Sequence, residues 1–256
     1  MEIGPFIGIM GIQTLEEGRR LAQFGSVFSK HRYRLLLGTY ADWWTLHGAA
    51  DRAFLPSCDV LSSMSCQENG VAHAVHFTPS WQRDLAEQLG GLMAVCPNLS
   101  VLILHAVWPK RDVLVQFRRQ WPAVSLVLWV SEECFLDLAD KTTRVAHRIG
   151  EYSKIGVVDS VILDLAAGRG ARIDDARAVF VLQLLRQAGV ELPCGVAGGL
   201  SYELFDAGLQ KLMHTFDPLS LAASHHLRTG NQIDPIRVNQ FLRRALVATE
   251  PLSVQT

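Results

Sequence analysis

The sequence predicts an α/β chain of the (β/α)8, or TIM-barrel, class built as a single domain, and three observations carry that prediction. The chain has 256 residues, close to the roughly 250 that one such barrel takes. Short apolar runs alternate with amphipathic stretches eight times, the pattern of strand–helix units around a parallel sheet. No Gly/Ser/Pro-rich linker divides these repeats, and the first strand-to-helix turn lacks the GxGxxG loop that would favour the main alternative, a doubly wound open sheet. The domain is drawn as residues 1–256, with 40–70 as an irregular insertion or loop region.

The elements follow in order. Phe6–Met10 is the first strand, and Thr14 with Glu17 has the spacing of a capping box that opens the first helix. Arg34–Gly38 is the second strand, and between Tyr40 and Gly70 only a weak helical pattern is visible, around Asp42–Phe54. Val71–Phe77 is the third strand, followed by a helix from Ser80 to Val95. Val101–His105 is the fourth, with a helix after Pro109, and Ser125–Val130 is the fifth, with a helix from Leu136 to Tyr152. Val157–Asp164 is the sixth, with a helix from Asp174 to Ala188. Pro193–Ala197 is the seventh, with a helix beginning at Ser201. Leu219–Ala222 is the eighth, and Asp234-Pro235 supplies an N-cap and a proline at the first position of the last helix.

Composition narrows the function classes. The chain is 49% hydrophobic and 19% charged, enough for a full core and too apolar for disorder. Lys and Arg total 24 against 25 Asp and Glu, and neither sign gathers in one half. That balance leaves no electrostatic footprint for nucleic acid or an anionic membrane. Cys58, Cys66, Cys96, Cys134 and Cys194 are an odd set with no CxxC pair, which argues against a structural zinc site or a disulfide framework and for reduced thiols in the cytoplasm. The apolar start from Ile3 to Ile12 lacks a basic flank and is too short to span a bilayer, so it reads as a strand and not a signal peptide.

In this fold, chemistry sits where strands end and the following loops begin. Those ends are Met10-Gly11-Ile12, His76-Phe77-Thr78, Leu104-His105-Ala106, Ser131-Glu132-Glu133, Leu163-Asp164-Leu165, Ala197-Gly198-Gly199-Leu200 and Ala222-Ala223-Ser224-His225. The series resembles the phosphoribosylanthranilate isomerase family, the barrel enzymes of tryptophan biosynthesis. Gly8 to Gln13 stands where that family opens with Lys-Ile-Cys-Gly-Ile-Thr, and Leu104-His105-Ala106 resembles its Leu-His-Gly. Ile162-Leu163-Asp164, followed by Gly168-Arg169-Gly170-Ala171-Arg172-Ile173-Asp174, is similar to its sixth strand and loop. Ala197-Gly198-Gly199-Leu200 matches its Ala-Gly-Gly-Leu. The likeness covers most of the chain in order, but Arg32 to Gly70 matches poorly.

The resemblance implies an Amadori rearrangement of an aminosugar phosphate, in which an acid opens the ring and a base takes the proton from the neighbouring carbon. Asp164 matches the acid, and a carboxyl at an apolar strand end has a pKa raised by desolvation; the alternative is that it caps a loop or pairs with Arg169. Gly198 and Gly199 match half of the phosphate cup, Gly168 and Gly170 the sixth loop, and Ser224 stands at the other half, in Ala222-Ala223-Ser224 where Ser-Ser-Gly belongs. A helix starting at Ser201 would add its free N–H groups, whereas the plain alternative is a tight strand-to-helix turn.

The departures are as informative. Met10 replaces the family's basic cysteine, and a thioether has no titratable proton. Ala171 replaces the sixth-loop lysine, with Arg172 beside it, and only Arg32 or Arg34 stand near the substrate-binding arginine. His76 and His105 end neighbouring strands and are the candidate replacement bases. With Glu132 or Glu133 and Asp164 they also have the make-up of a metal site, and alternatively each ring simply bonds a loop carbonyl. His225, His226 and Arg228 either hold an anion or lie on a solvated loop. Trp43, Trp44 and Trp108 line an aromatic pocket or serve packing, and Arg118-Arg119 and Arg243-Arg244 read as exposed helix faces.

The expectation is thus a barrel that binds a phosphorylated sugar or small phosphate ester, with Asp164 as acid and His105 or His76 as base. It needs no cofactor and no metal, its partner is the small phosphorylated ligand, and homo-oligomer formation is open. The second reading is a non-catalytic barrel that has lost its base, and the third is a metal-assisted lyase or hydrolase.

Overall fold

Strands buried on both faces read as unbroken apolar runs, and the fifth, Ser125–Val130, is buried at all six positions. In the computed structural model, which describes residues 3–48, 55–64, 71–139, 141–166 and 171–250, eight parallel strands close into a barrel in sequence order. They are β1 (Phe6–Met10), β2 (Arg34–Asp42), β3 (Val71–Thr78), β4 (Val101–Leu104), β5 (Ser125–Val130), β6 (Ser160–Asp164), β7 (Cys194–Ala197) and β8 (Leu219–Ala223). Closure is made by β1 against β8, from Ile7 opposite Leu221 to Ile9 opposite Ala223.

The helices sit between successive strands: α1 (Leu15–Ala22), α2 (Gly25–Phe28), α3 (Trp43–Leu46), α4 (Cys58–Met64), α5 (Leu85–Val95), α6 (Arg111–Gln120), α7 (Glu132–Asp137), α8 (Thr142–Lys154), α9 (Asp175–Gln187), α10 (Ala207–Thr215) and α11 (Pro235–Ala248). Among the described residues none is long and apolar enough to cross a membrane. Thr14 caps α1 by accepting the Glu17 N–H at 3.1 Å. The Glu17 carboxylate reaches one residue past the box position, to the Gln13 N–H at 2.8 Å, and also takes the Ile233 N–H at 3.1 Å. One glutamate therefore ties the first helix to the loop before the last. As expected, Asp234 caps α11 with Pro235 behind it.

Four expectations need correction. The second strand continues to Asp42, because Thr39–Asp42 pair with Val75–Thr78. The helix after β3 begins at Leu85, where Asp84 accepts the Ala86 and Glu87 N–H groups. The single helix drawn from Leu136 to Tyr152 is two, α7 and α8, and Ala139 between them has φ +55°. Ser201 opens no helix: its hydroxyl accepts the Leu204 N–H at 3.1 Å within a turn. The helix starts at Ala207, because Asp206 satisfies the N–H groups of Gly208 and Leu209.

Arg118 is also not an idle surface charge. It is half-buried, donates to the Val124 carbonyl at 2.8 Å and pairs with Asp159, whose carboxylate accepts the Leu126 N–H at 2.6 Å. The clamp holds the starts of β5 and β6 in register. Arg243 does lie on an exposed helix face, against Asn239. Within the 40–70 region, Asp42 and Thr45 form a capping box on α3, and the stretch 49–54 lies outside the described residues.

Inside the barrel, large side chains such as Phe6, Met10, Ile103 and Ile162 alternate with Gly8, Gly38, Ala74 and Gly195, so the interior fills without voids. At Gly195 a Cβ would stand 2.9 Å from both Cβ and the carbonyl oxygen of Ser220. At Gly90, inside α5, it would meet nothing within 4 Å. Gly195→Ala is therefore expected to destabilise the fold by ~1–3 kcal/mol by overpacking. Gly90→Ala should stabilise it by ~0.5–1 kcal/mol through helix propensity. Urea unfolding of both variants checks the contrast, and a Gly195→Ala protein as stable as wild type would contradict the packing account.

Candidate functional site

Period-two alternation along the strands aims Met10, Tyr40, His76, Trp129 and Asp164 inward at the end where each strand leaves the sheet. They line or underlie a cavity of about 340 Å³ bounded by Met10, Tyr40, Trp129, Asp164, the Gly198-Gly199 turn, Ser224, His225 and Arg228. Three of the predicted positions thus come together with Asp164: Gly198, Gly199 and Ser224. Gly168 and Gly170 lie outside the described residues.

Asp164 is buried, with 6% of its surface exposed. Desolvation holds its carboxyl above the usual range, while the Ala166 N–H, the His105 ring and the Trp129 indole favour the charged form. The Ala166 N–H lies 3.2 Å from Oδ1. The Trp129 indole N–H is buried with no partner in hydrogen-bond geometry.

Gly198 and Gly199 have φ +99° and +59°, a region closed to most side chains. Packing also demands glycine: a Cβ on Gly198 would lie 2.3 Å from that of Ala166, and one on Gly199 would lie 1.9 Å from the Ala171 carbonyl oxygen. The tight-turn reading is therefore physically sufficient for both. Their amide N–H groups still donate to no carbonyl among the described residues, so they are available to an anion at the cavity wall.

Arg228 is the cation of this wall. Of the two sequence readings, anion holder or solvated loop, full solvation does not hold for it: it is half-buried and donates to the carbonyls of Gly11 and Asn231. Among the described residues no carboxylate pairs with it. Burial lowers its pKa against the pull of Glu17 and Tyr40, yet a guanidinium keeps its charge and has five donors to satisfy. Burial pushes the Tyr40 phenol upward, against the nearby Ser224 hydroxyl and Arg228.

Met10 is 1% exposed and supplies no proton acceptor. His76 and His105 stand as a pair, Nε2 to Nδ1 at 3.3 Å. Their rings pack beside Trp129 at centroid distances of 4.5 and 6.3 Å, behind the wall of the cavity. Burial, then the neighbouring His105, drives His76 well below the ordinary imidazole range. Burial also lowers His105 against the pull of Glu133 and Asp164. Both rings are thus neutral near pH 7, and His76 Nδ1 has no partner. The metal reading would need a third ligand beside them, and among the described residues no group of three or more His, Cys, Asp or Glu side chains comes together.

Two site residues escaped the sequence reading, Tyr40 and Trp129. The signal for Tyr40 was the continuing alternation Leu36, Gly38, Tyr40 past the point where the strand was ended. For Trp129 it was the inward parity of Val127 and Trp129 within the fifth strand.

No protein-family model and no curated protein sequence matches the chain. Among solved structures it is similar to a phosphoribosyl anthranilate isomerase from Thermotoga maritima, with a TM-score of 0.62 and 14% identity over 95% of this chain and 99% of that one. It is also similar to a putative copper homeostasis protein CutC from Streptococcus agalactiae, with a TM-score of 0.54 and 13% identity over 87% and 99%. At these identities the likeness extends to the fold: the chain is a closed eight-stranded parallel (β/α)8 barrel.

Proposed function

We propose that the chain binds a phosphorylated sugar or a similar small phosphate ester in the mouth cavity, and that Asp164 is the proton donor of an acid–base isomerisation there. The observation that carries this reading is Arg228, a half-buried guanidinium on the cavity wall without a carboxylate partner among the described residues. A half-buried guanidinium without a carboxylate suits an anion, and a phosphate held by Arg228 and by the N–H groups of Gly198 and Gly199, which meet no carbonyl among the described residues, would complete it. The phosphoribosyl anthranilate isomerase named above, similar in fold, supports the reaction class by analogy alone. The sugar would then lie toward Asp164, where burial shifts the carboxyl in the direction of the protonated, donating form. Ser224 and Tyr40 would bond its hydroxyl groups, and His105, neutral and sensed by Asp164, is the nearest candidate for a base.

One observation favours a second reading, binding without catalysis: Met10 fills the wall position from which β1 would supply a base.

Calorimetric titration with ribose 5-phosphate tests the site. Wild type is expected to bind, and Arg228→Gln to weaken binding by about tenfold or more, the loss of a charge-assisted contact. Equal affinity in the variant would remove Arg228 from the reading. Turnover of phosphoribosylanthranilate separates the two readings: a wild-type rate that falls ~10²–10⁴-fold in Asp164→Asn supports catalysis, and binding with no wild-type turnover supports the second.

Asp164 also makes a prediction about stability. Its folded pKa is raised, so folding binds a proton as pH climbs from the ordinary aspartate value to the folded one, and stability falls across that window. Asp164→Asn cannot titrate there. Its unfolding free energy relative to wild type should therefore rise through the window and level off above it, and a difference that is flat with pH would refute the buried acid.

A further inference from the structure

A second cavity, of about 670 Å³, opens beside the first between the loops that follow β3 and β4. Its volume lies within the ~300–1,000 Å³ of small-molecule sites, and of its lining residues the phosphate reading uses only His105. The two cavities share a wall of rings, since Trp129 lines one and His105 the other.

Two tryptophans border this second cavity, Trp108 with its ring fixed and Trp81 on a loop whose backbone is fixed. Trp81 is 90% exposed, yet its loop is tied down by Gln88, a fully buried amide that bonds the Ser80 N–H at 2.7 Å and the Ser80 and Arg83 carbonyls at 2.9 and 3.2 Å. Trp108 has φ +42°, a strained conformation that persists only where its surroundings impose it. Its indole N–H donates to the Cys134 carbonyl at 3.0 Å, and its ring stacks on Tyr152 at 6.5 Å. Val107, 46% exposed, extends the apolar rim. Aromatic surface beside a cavity, one ring fixed and one in water, suits a flat partner.

The charges narrow the class. Arg83 and Lys110 are balanced by Asp84 and Glu133 around the cavity, so neither an anion nor a cation is favoured overall. Asp84 is spent on the start of α5. Lys110 has no carboxylate partner among the described residues, and its side chain caps nothing at the start of α6. Glu133 takes the Ser131 hydroxyl and retains acceptor sites. One donor and one acceptor therefore remain near the stacking surface.

We propose that this second cavity binds a neutral nitrogen heteroaromatic ring of the nucleobase kind, stacked on Trp81 and Trp108, with its polar edge read by Glu133 and Lys110. The site is independent of the phosphate reading. Adenosine is the probe, with 2-naphthoate as an anionic aromatic of similar area, both titrated by calorimetry into the full chain. Adenosine is expected to bind saturably and more tightly than 2-naphthoate. Trp81→Ala, at an exposed position that folding does not need, should weaken adenosine by about tenfold or more, the usual worth of one base stack. Glu133→Ala should weaken it by at least about threefold. Absence of adenosine binding, equal affinity in both variants, or tighter binding of 2-naphthoate would each overturn the assignment.

Discussion

Closing eight parallel strands on themselves obliges every second side chain to share one narrow interior, and the rest of this molecule follows from that constraint. The register from Phe6 opposite Arg34 to Ala197 opposite Ala222 sets which residues point inward. Small residues must stand beside large ones for the interior to fill. Gly38 faces the Met10 thioether, where a Cβ would come within 2.2 Å of Cε, and Gly195 leaves room for Ser220. The same parity carries upward to the strand ends, so the residues that finish each inward row become the floor of the mouth.

That floor mixes apolar side chains such as Met10 and Ala222 with a few polar groups, whose electrostatics come from burial. Removing water disfavours every charged form, which raises the Asp164 carboxyl and the Tyr40 phenol and lowers the two imidazoles. Arg228 is the exception because a guanidinium cannot shed its charge at neutral pH. It is held against the Gly11 carbonyl in the first turn, so the loop after β8 is fastened to the loop after β1. Acid and cation thus share one small space, and the histidines stand behind it as a neutral pair.

The two cavities differ in character for the same physical reason. The first is bounded by strand ends, tight glycine turns and one cation, Arg228. The second is bounded by loops carrying tryptophans and balanced charges, where a flat neutral surface is better matched. Their common wall is made by Trp129, which lines the first, and His105, which lines the second, with His76 between them.

How much could be read in advance follows the range of the interactions involved. Strand cores such as Phe6–Met10 and Ser125–Val130, and the Asp234-Pro235 helix start, were legible because local pattern and capping chemistry decide them. Asp164, Gly198 and Gly199 were legible as strand-end residues in a repeating series. The length of β2, and with it Tyr40, was not, because its last residues are strand only through pairing with Val75–Thr78. The helix expected at Ser201 failed because an N-cap five residues later, Asp206, competes more effectively, and Arg118 was misread because its partners, Val124 and Asp159, meet only once β5 and β6 lie side by side. The sequence by itself determined the eight-fold alternation, the barrel class and the chemical types waiting at the strand ends. Tertiary structure alone decided which of those residues share a cavity, which charges lack a partner and which glycines are required, because each of these depends on contacts between segments far apart in the chain.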